Sequence, residues 1–354
     1  MASLAHPERE PFQAEAGRRF AEALTHFGKR PLILGHFDAD GLAAAAILQR
    51  ALVRGGFEPR VRIVGKGENP WSAEMRAELA ALAPEGMIVA DLGVREGPLV
   101  EGIPTVVIDH HVPTGTPGEA LVISAHHEVP EPTSALLAYW CAQGVGEAED
   151  LLWLAAIGLI GDMAEDKGFA EMAEAQTRFG KTALRSAVSL INAPRRASKA
   201  DASPALALLL KCGSPKELLS GAHPETAELH AAKEEVRAEL DAAKRIGPKV
   251  RGDVALIAFS SPCQIHPLVA QQWRSRLGDK IVIAANTGYR PGWVHFVART
   301  ASGRDLIDFL AERRPPGADE NYGSGHRQAT GGALRPADWN HFITELGFPE
   351  EQIA

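Results

Sequence analysis

The sequence has few cysteines. Cys141, Cys212 and Cys263 are the three in 354 residues, and they lie far apart with no Cys-x-x-Cys pair. This spacing indicates neither a disulfide framework nor a zinc site built from paired thiolates. Sparse cysteine usage is typical of proteins in a reducing compartment, so we expect a cytoplasmic protein.

Long hydrophobic runs and an excess of positive charge are also missing. No run approaches the roughly 20 apolar residues of a membrane span, and residues 1–20 are polar and charged, unlike a signal peptide. We therefore expect no membrane partner and no targeting segment. The net charge of −8 argues against a protein that coats duplex DNA by bulk electrostatics, although a local basic groove stays compatible with it.

What the sequence does contain is a series of short apolar runs separated by helix-like stretches. Residues 31–35, 87–90 and 106–108 are typical of strands buried on both faces of a parallel sheet. Residues 42–52 and 151–160 are rich in alanine and leucine and predict helices. The alternation predicts an α/β fold with a parallel sheet in the N-terminal half.

Acids and imidazoles follow each of these elements. A single acid such as Asp40 could merely cap a helix, but its loop supplies two acids and a histidine. Parallel strands present ligand-binding groups at their carboxyl ends, and closely packed carboxylates repel one another unless cations neutralise them. The pattern therefore predicts two divalent metal ions bridged by a shared carboxylate. The candidate residues are His36, Asp38, Asp40, Asp91, Asp109, His110, His111 and Asp162.

The rest of the chain divides into further parts. Residues 164–220 are helical in pattern and alanine-rich, and residues 225–245 predict a charged helix with a thin apolar stripe that ends at Gly247-Pro248. We therefore predict an N-terminal domain with a helical extension over 1–220, a helical linker over 221–248 and a smaller C-terminal α/β domain over 249–354. The chain is long enough for two domains of about 100–200 residues each.

The C-terminal part contains a glycine-rich segment over residues 321–332. Glycines let a backbone bend sharply and approach a ligand closely, and the histidine and arginine in the segment favour a phosphate cradle over a plain flexible loop. The predicted substrate-binding residues are Gly323, Ser324, Gly325, His326 and Arg327. Tyr322 and Trp293 are candidates for stacking on a base, with core packing as the alternative for Trp293.

Together these motifs resemble those of the DHH phosphoesterase superfamily. His36-Phe37-Asp38-Ala39-Asp40-Gly41 is similar to its first motif, Asp91 to its second, Asp109-His110-His111 to its name-giving third, and Asp162 to its fourth. The glycine-rich segment resembles the Gly-Gly-Gly-His motif of the DHH-associated C-terminal domain, with Ser324 replacing one glycine. His36 stands two residues before the first acid, whereas in family II pyrophosphatases the distance is four, so RecJ-like and nanoRNase-like members are the better match.

The resemblance implies a DHH catalytic domain at 1–220 and a DHH-associated substrate-binding domain at 249–354. It implies two Mn²⁺ ions, with Mg²⁺ or Co²⁺ as alternatives. One ion would be held by Asp38, Asp91 and His36, and the other by Asp40, Asp91, His110 and Asp162. Asp109 completes the predicted metal set. His111 is assigned to catalysis, facing the substrate.

The implied activity is hydrolysis of phosphodiester or phosphomonoester bonds by a metal-activated water. The expected substrates are short single-stranded oligonucleotides, dinucleotides or nucleoside phosphates. An inorganic pyrophosphatase or polyphosphatase and a non-catalytic scaffold with a DHH fold are the alternatives. The sequence leaves a homodimer open.

Overall fold

The computed structural model describes residues 11–319, 322–323 and 325–353. Within this range the chain forms two compact units, the first from residues up to 195 and 200–230, the second from residues 196–199 and from 231 onward. Among the described residues, none of the helices has the length and apolar character needed to cross a lipid bilayer.

The first unit is built on a five-stranded parallel sheet with the order β2-β1-β3-β4-β5. Its strands are β1 (Leu32–Gly35), β2 (Arg60–Ile63), β3 (Met87–Ala90), β4 (Thr105–Asp109) and β5 (Leu121–Ser124). Its helices are α1 (Phe12–Leu24), α2 (Ala39–Arg54), α3 (Ala73–Ala81), α4 (Ser134–Val145), α5 (Leu152–Gly161), α6 (Ala170–Phe179), α7 (Lys181–Ile191), α8 (Ala193–Arg196), α9 (Ser203–Lys211) and α10 (Pro215–Leu219). Helix α11 (Pro224–Ala243) begins in the first unit and ends in the second.

Both faces of this sheet are covered, as the continuous apolar runs predict. Ile33, Ile88 and Ile108 belong to the core formed with α1, α2, α4 and α5. Leu34 and Val89, one residue further along their strands, belong to a separate core with α3. This alternation is the two-residue period of a strand. The polar residues His36, Asp91 and Asp109 lie at the carboxyl ends of these buried strands.

The second unit contains a six-stranded sheet with the order β10-β11-β9-β8-β7-β6. Its strands are β6 (Lys249–Arg251), β7 (Val254–Phe259), β8 (Ile281–Arg290), β9 (Trp293–Thr300), β10 (Gly325–His326) and β11 (Ala329–Leu334). Its helices are α12 (His266–Arg274), α13 (Leu306–Ala311) and α14 (Pro336–Glu345). Strands β7 and β8 pair in parallel, and the other neighbouring strands pair antiparallel.

The structure confirms the predicted α/β fold with a parallel N-terminal sheet and a second, smaller unit. Several elements were not predicted. Strand β2 has the sequence Arg60-Val61-Arg62-Ile63, in which two arginines interrupt the apolar run, and β11 begins with alanine, threonine and two glycines. Such segments become strands through pairing with a neighbour rather than through their own composition. The division at 221–248 and 249–354 stays a prediction.

Candidate metal centre

The ends of three parallel strands form one row in the first unit. Gly35 pairs with Ala90, and Ala90 pairs with Ile108. The residues that follow these three positions therefore emerge along the same edge of the sheet. This register brings the loop that starts at His36 together with Asp91 and with the Asp109-His110-His111 motif, as expected for the carboxyl ends of parallel strands.

Asp38 caps helix α2. Its Oδ1 accepts a hydrogen bond from Gly41 N at 3.1 Å, and its Oδ2 accepts one from Arg195 Nη1 at 2.9 Å. Burial raises the pKa of Asp38, but the hydrogen bond from His36 and the charge of Arg195 outweigh it and hold the pKa well below its usual range. The capping role that the sequence allowed for Asp40 therefore falls to Asp38.

Asp40 lies in the first turn of α2 and is fully buried. Its two carboxylate oxygens accept hydrogen bonds from Ser134 N at 2.8 Å and from Ala135 N at 2.9 Å, the first residues of α4. Burial, then the charges of Asp91 and Asp162, raise the pKa of Asp40 well above its usual value. A Cβ at Gly158 would lie 2.2 Å from Asp40 Oδ1, so glycine at this position leaves room for the carboxylate.

Asp91 occupies the middle of the cluster. Its φ of 62° is in the left-handed region, which a non-glycine residue rarely adopts and which often marks a functional site. Its Oδ2 lies 3.6 Å from His36 Nδ1, and its Oδ1 lies 3.6 Å from His110 Nε2. Ser134 Oγ donates to the same Oδ1 at 3.0 Å. Burial raises the pKa of Asp91 to about 6, although the hydrogen bond from His36 opposes this shift.

His36 and His110 both face carboxylates. His36 Nδ1 lies 3.2 Å from Asp38 Oδ1. His110 Nε2 lies 3.2 Å from Asp162 Oδ2 and 4.0 Å from Asp40 Oδ2. Burial lowers the pKa of both imidazoles, but the nearby carboxylates, first Asp38 for His36 and Asp162 for His110, outweigh it and raise each pKa to about 10.

His110 shows how this site fits a metal ion. Its buried Nε2 has no hydrogen-bond partner among the described residues, although three carboxylates surround it. Its other nitrogen, Nδ1, lies 3.5 Å from Glu131 Oε1. An imidazole held on one side by a carboxylate while the other nitrogen faces several acids is the usual arrangement of a metal-ligating histidine. A divalent cation would supply the missing partner and offset the repulsion between the acids.

The potential ligand atoms fall into three overlapping groups. Within each group, the ligand atoms lie within 4.8 Å of one another. The groups are His36, Asp38 and Asp91; Asp40, His110 and Asp162; and Asp91, His110 and His111. Asp91 belongs to two of them. The structure therefore brings seven of the eight candidate residues together, and their oxygen and nitrogen donors suit hard or borderline divalent cations.

Asp109 is the residue that these groups do not include. It is fully buried, its Oδ2 accepts from Gly93 N at 2.6 Å, and its Oδ1 accepts from His111 N at 2.7 Å. The same Oδ1 lies 3.0 Å from His111 Nδ1. Burial raises the pKa of Asp109, but the hydrogen bond from His111 outweighs it, so the pKa lies below its usual value. The structure thus places Asp109 behind His111 rather than among the potential metal ligands.

His111 is the most open member of the cluster, with 57% of its side chain exposed. The hydrogen bond to Asp109 raises the pKa of its imidazole, despite partial burial, which lowers it. Because Asp109 occupies Nδ1, the other ring nitrogen of His111 is left for a further partner.

Two contributors were missed by the sequence reasoning. Asn192 Oδ1 accepts a hydrogen bond from Ala39 N at 3.1 Å and so fixes the first turn of α2. Arg195, three residues later, pairs with Asp38. The signal in the sequence was Asn192-Ala193-Pro194, where a proline interrupts the helical pattern. Such an interruption ends a helix and can leave polar side chains at its end.

Six residues of the glycine-rich segment lie in strands of the second unit's sheet. Gly325 and His326 form β10, and Gly331 lies in β11, where a Cβ would come within 2.3 Å of Phe296 O. Close strand packing therefore explains Gly331. The Arg327 side chain is 83% exposed and its Nε lies 3.3 Å from Asp305 Oδ2. Ser324 lies outside the described residues.

The interpretation of Tyr322 as a stacking platform was wrong. Tyr322 is buried among Phe296 and Phe342, and its hydroxyl donates to Arg313 O at 3.1 Å. Trp293 is half-buried, and the Arg335 guanidinium lies over its ring, 3.9 Å from the centroid. Tyr322 therefore belongs to the core, and base stacking by Trp293 stays a prediction.

Comparison with known proteins agrees with this geometry. Residues 30–161 match the model of the DHH family, N-terminal domain. The single-stranded-DNA-specific exonuclease RecJ of Thermus thermophilus is 32% identical over 165 residues, which cover 42% of this chain. The match covers 25% of that protein, so the chain spans only part of the length of its curated relative.

Two solved structures share the fold. A crystal structure of exonuclease RecJ bound to manganese superposes with a TM-score of 0.70 at 20% identity, covering 99% of both chains. A structure of RecJ from Thermus thermophilus in complex with Mn²⁺ has a TM-score of 0.67 at 23% identity and covers 95% of this chain and 55% of that one. With the family model, the motifs and the fold in agreement, residues 30–161 form a DHH-family N-terminal domain.

Proposed function

We propose that this chain is a metal-dependent phosphoesterase with a two-ion centre. The observation that carries the proposal is the buried cluster of acids around His110, whose Nε2 has no hydrogen-bond partner among the described residues. His36, Asp38 and Asp91 would hold one ion, and Asp40, Asp91, His110 and Asp162 the other, with Asp91 shared. Two divalent ions supply an activated water and stabilise the charge that develops on the phosphoryl oxygens.

Mn²⁺ is the ion we propose, with Mg²⁺ or Co²⁺ as substitutes. Carboxylates suit Mg²⁺ and Mn²⁺, whereas imidazoles favour the transition metals. The predicted ligand set contains both kinds of donor in each of its two groups. RecJ structures described as manganese-bound share the fold and support the same choice. Elemental analysis of the purified protein tests the proposal, with about two ions per chain expected.

His111 is proposed as the residue that faces the substrate. Its side chain is the most exposed in the cluster, and Asp109 holds its Nδ1. The hydrogen bond to Asp109 raises the pKa of His111 and so favours the protonated imidazole, which can donate its proton to the leaving oxygen. Asp109 is then a positioning residue that fixes the orientation of the ring, which replaces its predicted role as a metal ligand.

The proposed substrates are short single-stranded oligonucleotides, dinucleotides or nucleoside phosphates. Support comes from the similarity to RecJ, which is named for its specificity toward single-stranded DNA. His326 and Arg327 are exposed on the second unit and are proposed to contact a phosphate of the substrate away from the bond that is cleaved. A cytoplasmic location fits such substrates and stays part of the proposal.

A substrate panel tests this function directly. The protein is incubated with Mn²⁺ and labelled single-stranded DNA and RNA oligomers, dinucleotides, 3'-phosphoadenosine 5'-phosphate and pyrophosphate. We expect turnover of one or more nucleotide substrates and none of pyrophosphate. Turnover of pyrophosphate alone would identify an inorganic pyrophosphatase instead. A folded, metal-loaded protein that hydrolyses nothing in the panel would indicate a non-catalytic scaffold.

A further inference from the structure

A second group of metal-ligating side chains lies in the helical extension of the first unit. Cys212 directly follows α9, Glu217 lies in α10, and His223 immediately precedes α11. The three potential ligand atoms lie within 4.8 Å of one another. They come from a stretch of twelve residues, so the group is local and belongs entirely to the first unit.

Hydrogen bonds hold the carboxylate of this group in place. Glu217 Oε2 accepts from Gly213 N at 2.8 Å, while Ser214 Oγ accepts from Glu217 N at 3.2 Å, an arrangement close to a capping box. Oε1 therefore faces His223, whose Nε2 lies 3.3 Å away. Two ligands of a tetrahedral zinc ion with bonds of about 2.0–2.1 Å are separated by roughly the same distance.

A second carboxylate stands beside the group. Glu225 is in the first turn of α11, and its Oε1 pairs with Lys211 Nζ. Its Oε2 is buried and has no hydrogen-bond partner among the described residues. Lys211, the partner of Glu225, directly precedes Cys212, and the charge of Glu225 contributes, after burial and Glu217, to the raised pKa of the Cys212 thiol, so Glu225 lies near the group. Glu225 is therefore a candidate for the fourth position around an ion.

The surroundings distinguish this group from an ordinary surface ion pair. Cys212 is completely buried, whereas Glu217 and His223 are partly exposed, so an ion would sit at the surface with its sulfur ligand on the inner side. Burial raises the pKa of the Cys212 thiol to about 11. An ion bound here would therefore displace a proton from the thiol, and its affinity would rise with pH.

We infer that Cys212, Glu217 and His223, with Glu225 as the fourth ligand, form a binding site for a zinc-class divalent ion. The mixture of one thiolate, one imidazole and carboxylates suits Zn²⁺ and its analogue Co²⁺ better than Mg²⁺. The site is separate from the catalytic cluster, by which we mean the proposed metal ligands around Asp91 and His110. Arg50 Nη1 donates to Cys212 O at 3.0 Å, and Arg50 lies about 15 Å along α2 from Asp40 at a rise of 1.5 Å per residue.

The expected role of the ion is structural. It would join the end of α9, helix α10 and the start of α11, which otherwise meet through a few hydrogen bonds such as Thr226 Oγ1 to Leu218 O at 3.1 Å. Because ligands from three helices would converge on one ion, binding would stabilise the folded state.

Co²⁺ titration of the full chain, after removal of metals with a chelator, tests this site without using activity. A cysteine ligand gives Co²⁺ a strong near-ultraviolet thiolate absorption, and the catalytic cluster contains only oxygen and nitrogen donors. We expect this absorption in the wild-type protein and its loss in Cys212→Ala. His223→Ala should weaken Co²⁺ binding at this site by roughly a hundredfold.

Matched variants serve as controls. Cys141→Ala and Cys263→Ala remove the other two buried cysteines and should leave the absorption unchanged. His230→Ala removes an exposed histidine from the same helix, α11, and should also have no effect. If Cys212→Ala does not fold, His223→Ala and Glu217→Gln carry the test, since both side chains are partly exposed. A folded wild-type protein without thiolate absorption, or an absorption that survives loss of Cys212 or is unaffected by His223→Ala, would overturn the inference.

Discussion

The catalytic cluster and the glycine-rich segment were both selected from the sequence as functional, yet their physical settings differ. In the cluster, Asp40 and Asp91 are buried, their pKa values are raised, and Asp91 adopts a left-handed backbone. In the segment, Arg327 is exposed and pairs with Asp305, and Gly331 is explained by strand packing. Carboxylates crowded together in a buried site repel one another and favour a bound cation, whereas exposed charge is solvated by water. The cluster is thus the stronger functional assignment.

The largest effect is expected at Asp91. Asp91→Asn removes the carboxylate shared between the two proposed ions, and metal ions contribute several kcal/mol to such reactions. We expect a loss of activity of about a thousandfold or more, together with a lower metal content. The exposed Asp166, close in sequence to the proposed ligand Asp162, offers Asp166→Asn as a control that should leave both unchanged. Full metal occupancy with normal turnover in Asp91→Asn would reject the two-ion assignment.

A somewhat smaller effect is expected at His111, which we propose faces the substrate, and at its partner Asp109. His111→Ala should lower kcat by about a hundredfold, in the range of general acid catalysis. Asp109→Asn should lower it in the same direction, because the ring loses the carboxylate that orients it. Both variants should keep their metal ions, which elemental analysis would measure. Loss of one ion per chain in Asp109→Asn would restore Asp109 as a ligand.

The buried cluster should make the stability of the folded protein depend on pH, whereas the exposed glycine-rich segment should not. In the metal-free protein, the pKa values of His36 and His110 are raised to about 10. Their stabilising charge is fully present below the unfolded pKa of about 6.5 and is lost as the pH rises toward 10. The pKa of Asp91 is raised to about 6, so ionisation of this carboxylate destabilises the folded state. The destabilisation is complete once the pH passes about 6.

We therefore expect the Tm of the protein in EDTA to fall between pH 6.5 and 9, by roughly 5 °C. Bound Mn²⁺ replaces the protonated imidazoles as partners of the acids, so the fall should be smaller in its presence. Thermal unfolding followed by circular dichroism measures both curves. A Tm in EDTA that rises over this range would show that the histidines do not stabilise the cluster as protonated groups.

A moderate effect is expected from Arg195, which pairs with Asp38 from α8. Arg195→Ala frees the carboxylate that it holds, and loss of such a supporting contact typically weakens metal binding by about tenfold or more. Calorimetric titration with Mn²⁺ measures the change. Arg185→Ala, at an exposed arginine on α7 that pairs with Glu165, is the control. Unchanged metal affinity in Arg195→Ala would assign this arginine to another task.

The smallest effect is expected from the glycine-rich segment. Because Arg327 is exposed, its contact with a phosphate should be worth no more than about 1 kcal/mol, so Arg327→Ala should raise the KM for an oligonucleotide ~5-fold. Hydrolysis of bis-p-nitrophenyl phosphate, which is too small to reach a distant contact, should not change. Equal losses on both substrates would mean that this residue supports the catalytic cluster, and no loss on either would leave the segment without a role in binding.

The sequence by itself determined the candidate residues and the elements that carry them. The runs at 87–90 and 105–109 predict buried strands because apolar side chains must leave water, and the acid that ends each run is visible in the local pattern. The order of motifs along the chain was sufficient to indicate the superfamily. The strands, the acids that end them and the order of the motifs are all set by residues close in sequence. They can therefore be recognised before the fold is known.

Only the tertiary structure decided how these residues are held. Asp40 accepts hydrogen bonds from backbone groups 94 and 95 residues away, and Asp38 pairs with Arg195 at a separation of 157 residues. It also showed that Asp109 bonds to Gly93 N and to His111. Backbone N–H groups occur at every residue except proline and so carry no sequence signature. A polar residue at the end of a strand likewise does not reveal which partner each of its oxygens will face. Such pairings follow from the packing of α2, α4 and α8 around the sheet, and they become specific only when the chain has folded.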